Sequence, residues 1–280
     1  MEELKIRNPF PGARAFLVET TESTQEEARS LAASGWRAGS LVAAEAQTAG
    51  RGRFPGRSWE SETGLNLLFT IYLESAAASL PALPIRIGLA LRGAVLELAE
   101  LMGAKLRSTP LLKWPNDLML GDRKAAGILC EAGPAGVFAG IGLNCNQRTF
   151  PPELEARATS LALELDRNVD RWLLLELFLG CLAAGLRCQS WLREAEKGLW
   201  KRGELVAFRP GLGARYGGTE LSVDGGTELS VGGGTELFLG RLTGLDDSGS
   251  LLIWAEGEPR PRAFPSGELT ATLPPYTVVA

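Results

Sequence analysis

Two short polar stretches hold the side chains of this chain that are best suited to chemistry. The first lies within LLKWPNDLMLGDRKAAGILCE (111–131) and offers Asn116, Asp117 and Lys124. A carboxylate such as Asp117 can hold a hydrated Mg2+, and an ammonium such as Lys124 can meet an anion. The second is QTAGRGRFPGRSW (47–59), with three glycines and three arginines in the eight residues from Gly50 to Arg57. Glycines let the backbone approach a ligand closely, and arginine forks match carboxylate or phosphate, so this loop reads as an anion cradle. It fits neither the Walker pattern nor the dinucleotide GxGxxG pattern. The chain has no histidine, which excludes imidazole catalysis and any His-containing zinc site. Lysine, arginine, carboxylates, backbone amides or a loosely held ion must therefore do the work.

Positioning these groups requires a sheet. Leu118–Leu120 and Ile128–Cys130 are short apolar runs on either side of Gly121-Asp122-Arg123-Lys124, which predicts a β-hairpin bringing Lys124 back across from Asp117. Pro115 cannot donate to a ladder and marks a strand entry or bulge. Strands are expected at 40–46 and 65–72 around the arginine loop, and at 137–144 after the Gly133–Gly136 turn. Helices are expected from Ser23 or Thr24 to Ser34, over 84–103 with Pro84 in its first turn, and over 170–197 as one long helix. From about Gly203 the pattern changes to short β runs at 205–209, 237–242, 251–254 and 268–273, the signature of a small barrel. Within it GGTELSVD, GGTELSVG and GGTELFLG (217–240) form an eight-residue repeat, read as a loop expansion. The expected division is a larger domain at 1–200 and a small β domain at 201–280.

Composition fits a globular chain: of 280 residues 45% are hydrophobic and 22% charged, and the net charge of −4 gives no global case for nucleic acid. The four cysteines show no CxxC pair and lie in apolar surroundings, as reduced core thiols of a cytoplasmic protein would. No secretory signal follows Met1, and the apolar run 173–186 is too short and too interrupted for a membrane span.

Taken together, these stretches resemble the biotin protein ligase family. The resemblance rests on Ser23-Thr24, Gln47 with Gly50-Arg51-Gly52-Arg53, Lys113-Trp114-Pro115-Asn116-Asp117, Lys124 with Gly127-Ile128-Leu129, and Gly140-Ile141-Gly142-Leu143-Asn144, in family order across 19–146. It implies an α+β fold, a mixed sheet backed by helices of the class II synthetase and biotin ligase type, with a small C-terminal SH3-like barrel. It implies ATP-dependent formation of biotinyl-5′-AMP and transfer of biotin to a lysine of a biotin carboxyl carrier domain, with Mg2+ on the nucleotide. Carried over by resemblance, Lys124, Arg53 and Asp117 are catalytic, with Asp117 orienting Lys124 or holding the metal. Ser23, Thr24, Gln25, Gln47, Gly50, Arg51, Gly52, Arg53, Lys124 and Gly127 bind biotin. Arg51, Trp59, Asn116, Asp117, Lys124 and Asn144 bind ATP.

The chain departs from the family pattern in two places. Gln25 stands where the family often has Asn, and GRGRFPGR is one residue longer than usual, with Pro55 as the extra residue, which unsettles the roles of Arg57 and Trp59. About twenty residues precede Ser23, too few for the winged-helix domain of DNA-binding members, so no operator binding is expected. A dimer through a sheet edge and a monomer both agree with the sequence. The nearest rival reading is a lipoate–protein ligase on the same fold; the other is a non-catalytic binding protein that uses the C-terminal barrel. The polar donors Ser23, Thr24 and Gln47 favour a polar head group over a long unbranched chain. Keeping Lys124, Asp117, Arg51 and Arg53 favours an active enzyme, because buried charges without a use destabilise a fold.

Overall fold

The computed structural model describes residues 1–54, 56–211, 228–231 and 235–270. Its larger sheet contains β1 (Glu2–Glu3), β2 (Ala15–Thr21), β3 (Leu41–Gln47), β4 (Leu67–Leu73), β5 (Pro110–Lys113), β6 (Asp117–Leu120), β7 (Arg123–Gly133) and β8 (Gly136–Leu143). Their spatial order is β1-β2-β3-β4-β8-β7-β6-β5. β2 and β3 run parallel, joined through the helix α1 (Thr24–Ala33), and every other neighbouring pair is antiparallel. The expected mixed sheet is present.

Side-chain alternation divides this sheet into two different faces. On one, Phe69, Ile71, Ile128, Ala139 and Ile141 join α2 (Leu83–Leu101) and α5 (Arg171–Gly185) in the apolar core, with Phe69 edge-on to Phe178 at 5.3 Å. Each of the buried Phe and Ile side chains contributes on the order of 1.5–3 kcal/mol. The opposite face carries Thr70, Gly127, Gly140 and Gly142 and is covered by α1 and the arginine loop. One face holds the domain together, and the other presents bare backbone on which other side chains pack closely.

The single helix expected over 170–197 is two. Asp170 caps α5, its carboxylate accepting from the backbone of Trp172 and Leu173, but that helix ends at Gly185 and α6 begins at Trp191 (Trp191–Lys197). The cause lies outside the segment. Arg86 of α2, only 6% exposed, donates to the carbonyls of Cys188 (2.9 Å) and Gly185 (3.5 Å) and sits over the Trp191 ring. Carbonyls left over at a helix end are taken by this cation, which fixes the break. Short helices α3 (Pro152–Glu155) and α4 (Leu161–Leu165) connect β8 to α5. No helix among the described residues is long and apolar enough to cross a membrane.

The second sheet contains β9 (Leu205–Pro210), β10 (Glu228–Val231), β11 (Thr235–Leu245), β12 (Leu251–Trp254), β13 (Arg262–Phe264) and β14 (Gly267–Leu269). It runs as an open antiparallel path, β13-β12-β11-β9-β14, with β10 paired to β11. β13 is a strand that the sequence pattern did not reveal. Of the eight-residue repeat, 228–231 pairs antiparallel with β11, Glu228 opposite Phe238; positions 217–227 and 232–234 lie outside the described residues. The two sheets meet at Trp114, whose indole nitrogen donates to the Gly249 carbonyl at 2.9 Å and whose ring lies 5.9 Å from that of Phe208.

Candidate active site

The cleft is built on the β6–β7 hairpin, and its geometry depends on a bulge. Gly121, at φ +62°, makes the two-residue turn with Asp122, so β7 begins at Arg123, earlier than the polar run suggested. Strict alternation would put residues 124 and 127 on opposite faces, because they are an odd number apart. The pairing runs Asp117 to Gly127 and Leu118 to Ala126 but then Met119 to Lys124, leaving Ala125 as the extra residue. The bulge turns Lys124 onto the face of Asp117 and Gly127. Its Nζ there lies 2.7 Å from Asp117 Oδ1. The backbone of Lys124 is pinned too, donating to the Arg157 carbonyl at 2.7 Å and accepting from Thr159 at 3.0 Å.

Three glycines make the floor. A Cβ on Gly142 would lie 2.5 Å from Trp59 Cε2, one on Gly127 3.0 Å from Lys124 Nζ, and one on Gly140 2.9 Å from Gln25 Nε2. Trp59 therefore packs down onto bare backbone, with Lys124 Nζ 5.6 Å from its ring and its own buried Nε1 unpartnered. Gln25, the residue that departs from the family pattern, reaches across the sheet and donates to the Leu129 carbonyl at 3.0 Å. Its Oε1 is buried with no partner, so an acceptor waits in the cleft wall.

The opposite wall comes from the start of α1. Of the two expected candidates, Ser23 rather than Thr24 is its N-cap, accepting from the Gln25 amide at 3.3 Å. Gln47 Oε1 accepts from both the amide (2.8 Å) and hydroxyl (3.1 Å) of Thr24, which also bonds Thr70 at 2.9 Å. Holding the Gln47 oxygen at two donors fixes the plane of its amide. Arg51, Gly52 and Arg53 close the remaining side. Arg51 pairs with Glu26 at 2.7 Å, while Arg53 donates to the Gly267 carbonyl at 2.5 Å. Burial lowers the pKa of the Arg53 guanidinium, opposed by the nearby Asp117 and Glu268.

The cleft thus gathers Ser23, Thr24, Gln25, Gln47, Arg51, Gly52, Arg53, Trp59, Asn116, Lys124 and Gly127 along its lining. Three expected residues stand behind it. Gly50 accepts from the Trp59 amide and has no room for a side chain, a Cβ falling 2.7 Å from the Trp59 carbonyl. Asp117 reaches the site through Lys124. Asn144, 4% exposed, donates from its side chain to the Thr159 carbonyl at 3.0 Å and ties β8 to the segment before α4. The structure does not bring its amide to the cleft. Glu131 was missed: it lines the cleft and pairs with Arg29 at 2.5 Å. The alternate glycines of GIG at 140–142 were the signal for the floor, since glycine inside a strand marks close approach of another group.

No group of three or more Asp, Glu or Cys residues able to hold a metal occurs among the described residues. Asp117 is one carboxylate beside the cationic cleft. That fits a Mg2+ carried mainly on substrate phosphates, which commonly takes only one or two protein carboxylates.

Comparison with known proteins fits this geometry. Residues 17–147, the stretch that supplies every lining residue, match the model of the biotin/lipoate A/B protein ligase family. The bifunctional ligase/repressor BirA of Bacillus spizizenii is 32% identical to the chain over 185 residues, covering 63% of this chain and 54% of the relative. The biotin–[acetyl-CoA-carboxylase] ligase of Mycobacterium tuberculosis is 34% identical over 170 residues, covering 58% and 61%. The chain thus spans somewhat over half the length of these curated relatives. A solved biotin protein ligase from Aquifex aeolicus in complex with biotin and ATP superposes with a TM-score of 0.72 at 27% identity, covering 91% of this chain and 97% of that one. This likeness extends beyond residues 17–147 into the second sheet.

Proposed function

We propose that the protein is an ATP-dependent biotin protein ligase. In this reading it joins biotin to AMP with release of pyrophosphate, then transfers biotin to one lysine of a biotin carboxyl carrier domain. The observation that carries the proposal is the convergence of Lys124 with Arg51 and Arg53, from two distant segments, on one cleft whose other wall is polar. The biotin carboxylate and the ATP α-phosphate repel each other, and fixed positive charge in a water-poor site offsets that repulsion. Lys124 bridges the two anions, and Asp117 keeps its ammonium aimed. A carboxylate oxygen of biotin then forms the bond to the α-phosphorus as pyrophosphate leaves.

Arg51 and Arg53 hold the adenylate, while Ser23, Thr24, Gln25 and Gln47 meet the ureido ring. Trp59 and Asn116 border the nucleotide. Asn144 supports that wall from behind. A Mg2+ carried on the phosphates would neutralise their charge, and Asp117 is the carboxylate beside the cleft that would hold it. In the second step the carrier amine attacks the acyl carbon and AMP departs. An acyl phosphate anhydride is reactive enough to need only an oriented, deprotonated amine, so the missing histidine is no obstacle.

The two parts at 1–200 and 201–280 are read as a catalytic domain and an SH3-like barrel. Supporting the barrel, β13 and β14 lie at opposite ends of the second sheet's path yet are joined by only Pro265 and Ser266, so its two edges curl toward each other. Four free cysteines support a cytoplasmic setting. A homodimer through a sheet edge stays compatible with this reading.

Lipoate is the second reading, because the matched family model covers both ligases. The test is mass spectrometry of a biotin carboxyl carrier domain after incubation with the protein and MgATP plus either biotin or lipoate. Addition of one biotin at one lysine is expected. Modification by lipoate alone would assign the second reading.

A further inference from the structure

The tip of the arginine loop is fastened to the other sheet. The Gly52 amide donates to the Arg57 carbonyl at 2.8 Å, and the Trp59 amide to the Gly50 carbonyl at 2.9 Å, so 50–52 and 57–59 pair as the two arms of the loop. Arg53 and Arg57 flank Phe54, their guanidinium carbons 4.5 and 5.1 Å from its ring centre. Both reach the same short strand, β14. Arg57 makes two bonds to the Glu268 carboxylate, at 2.6 and 3.0 Å, and Arg53 donates to the carbonyl of Gly267. A bidentate guanidinium–carboxylate pair fixes direction as well as distance. Arg57 does not line the cleft, so this pair acts on the loop and not on a ligand.

We propose that Glu268 is a positioning residue that holds the 50–59 loop shut over the cleft through Arg57, shielding a reactive intermediate from water until transfer. The loop that walls the site is then held by a residue 211 positions away in sequence, on the second sheet. That sheet becomes part of the closing device. Without the pair the wall carrying Arg51 and Arg53 loses one of its two attachments to β14. The closure itself stands on the contacts above, whereas the shielding of an adenylate rests on the ligase reading.

The test separates the two. Ligand-free protein is treated briefly with trypsin, and cleavage after Arg51 and Arg53 is followed in wild type, Glu268→Gln, Arg57→Glu and the charge-swapped Arg57→Glu/Glu268→Arg. Each single variant is expected to be cut about fivefold faster, corresponding to about 1 kcal/mol at 1.4 kcal/mol per factor of ten. The swapped pair is expected to return toward the wild-type rate. With biotin and MgATP but no carrier, the single variants should release biotinyl adenylate or its hydrolysis products about fivefold faster. A melting midpoint within about 2–3 °C of wild type shows that the fold survives. Wild-type cleavage rates in Glu268→Gln, or no recovery in the swapped pair, would overturn the latch. Faster cleavage with unchanged adenylate release would keep the latch and remove the shielding.

Discussion

Lys124 Nζ sits 2.7 Å from Asp117 Oδ1 because one extra residue, Ala125, turns the lysine onto the carboxylate's face of the sheet. Removing Asp117 should therefore mis-aim Lys124 without deleting its charge. Asp117→Asn is expected to lower the rate of pyrophosphate release by about 10-fold or more while leaving the biotin Kd within a few-fold, as for a group that acts on orientation. Isothermal titration with biotin alone beside single-turnover kinetics distinguishes this from a loss of binding.

Gly142 is the second place where one atom matters. Gly142→Ala puts a methyl group 2.5 Å from the Trp59 ring, so the indole must leave the floor. Overpacking of this kind costs about 1–3 kcal/mol. A lower melting point and changed ligand affinity are expected together. Gly180→Ala is the control: it lies inside α5, exposed, with nothing within 4 Å of a new Cβ, and should raise stability by about 0.5–1 kcal/mol.

The hold of Glu268 on the loop has a defined pH dependence. Burial pushes its carboxyl up, but hydrogen bonds from Arg57 and the charges of Arg57, Lys113 and Arg53 outweigh this and leave its pKa below the ordinary 4.5. A depressed carboxyl contributes stability that is present above the unfolded value and is lost as pH falls through the folded one. The half-exposed pair is worth about 0.5–1 kcal/mol. The melting advantage of wild type over Glu268→Gln should hold from about pH 8 down to about pH 5 and fade only below 4.5. An advantage that vanished near neutral pH would point to a different group.

Cys145 is fully buried and its thiol is pushed up to about 12 by desolvation. Native protein treated with iodoacetamide near pH 8 should keep this thiol unmodified, and denaturant should release it. Peptide mass mapping reads both states.

Much of this architecture was legible in the sequence because it is written locally. Short apolar runs marked β3, β4 and β8, Pro84 and the Ser23-Thr24 pair announced helix starts, and Gly121-Asp122 announced the hairpin turn. What stayed hidden depends on distant partners. The bulge at Ala125 leaves no mark in composition, yet without it Lys124 would point to the core side. The break after Gly185 is set by Arg86, about one hundred residues earlier. The role of Arg57 could not be read from GRGRFPGR, since its partner, Glu268, belongs to a three-residue strand of the other sheet. Asn144 shows the reverse: its motif suggested a ligand, while its amide is committed to Thr159.

Biotin-dependent exchange of pyrophosphate into ATP reads whether cations from two segments bring two anions into bonding distance. Wild type and Lys124→Ala should be compared at saturating biotin and MgATP, with circular dichroism confirming both are folded. Exchange is expected in the wild type, with a fall of at least about 100-fold in the variant. Exchange within a few-fold of wild type in folded Lys124→Ala would contradict it.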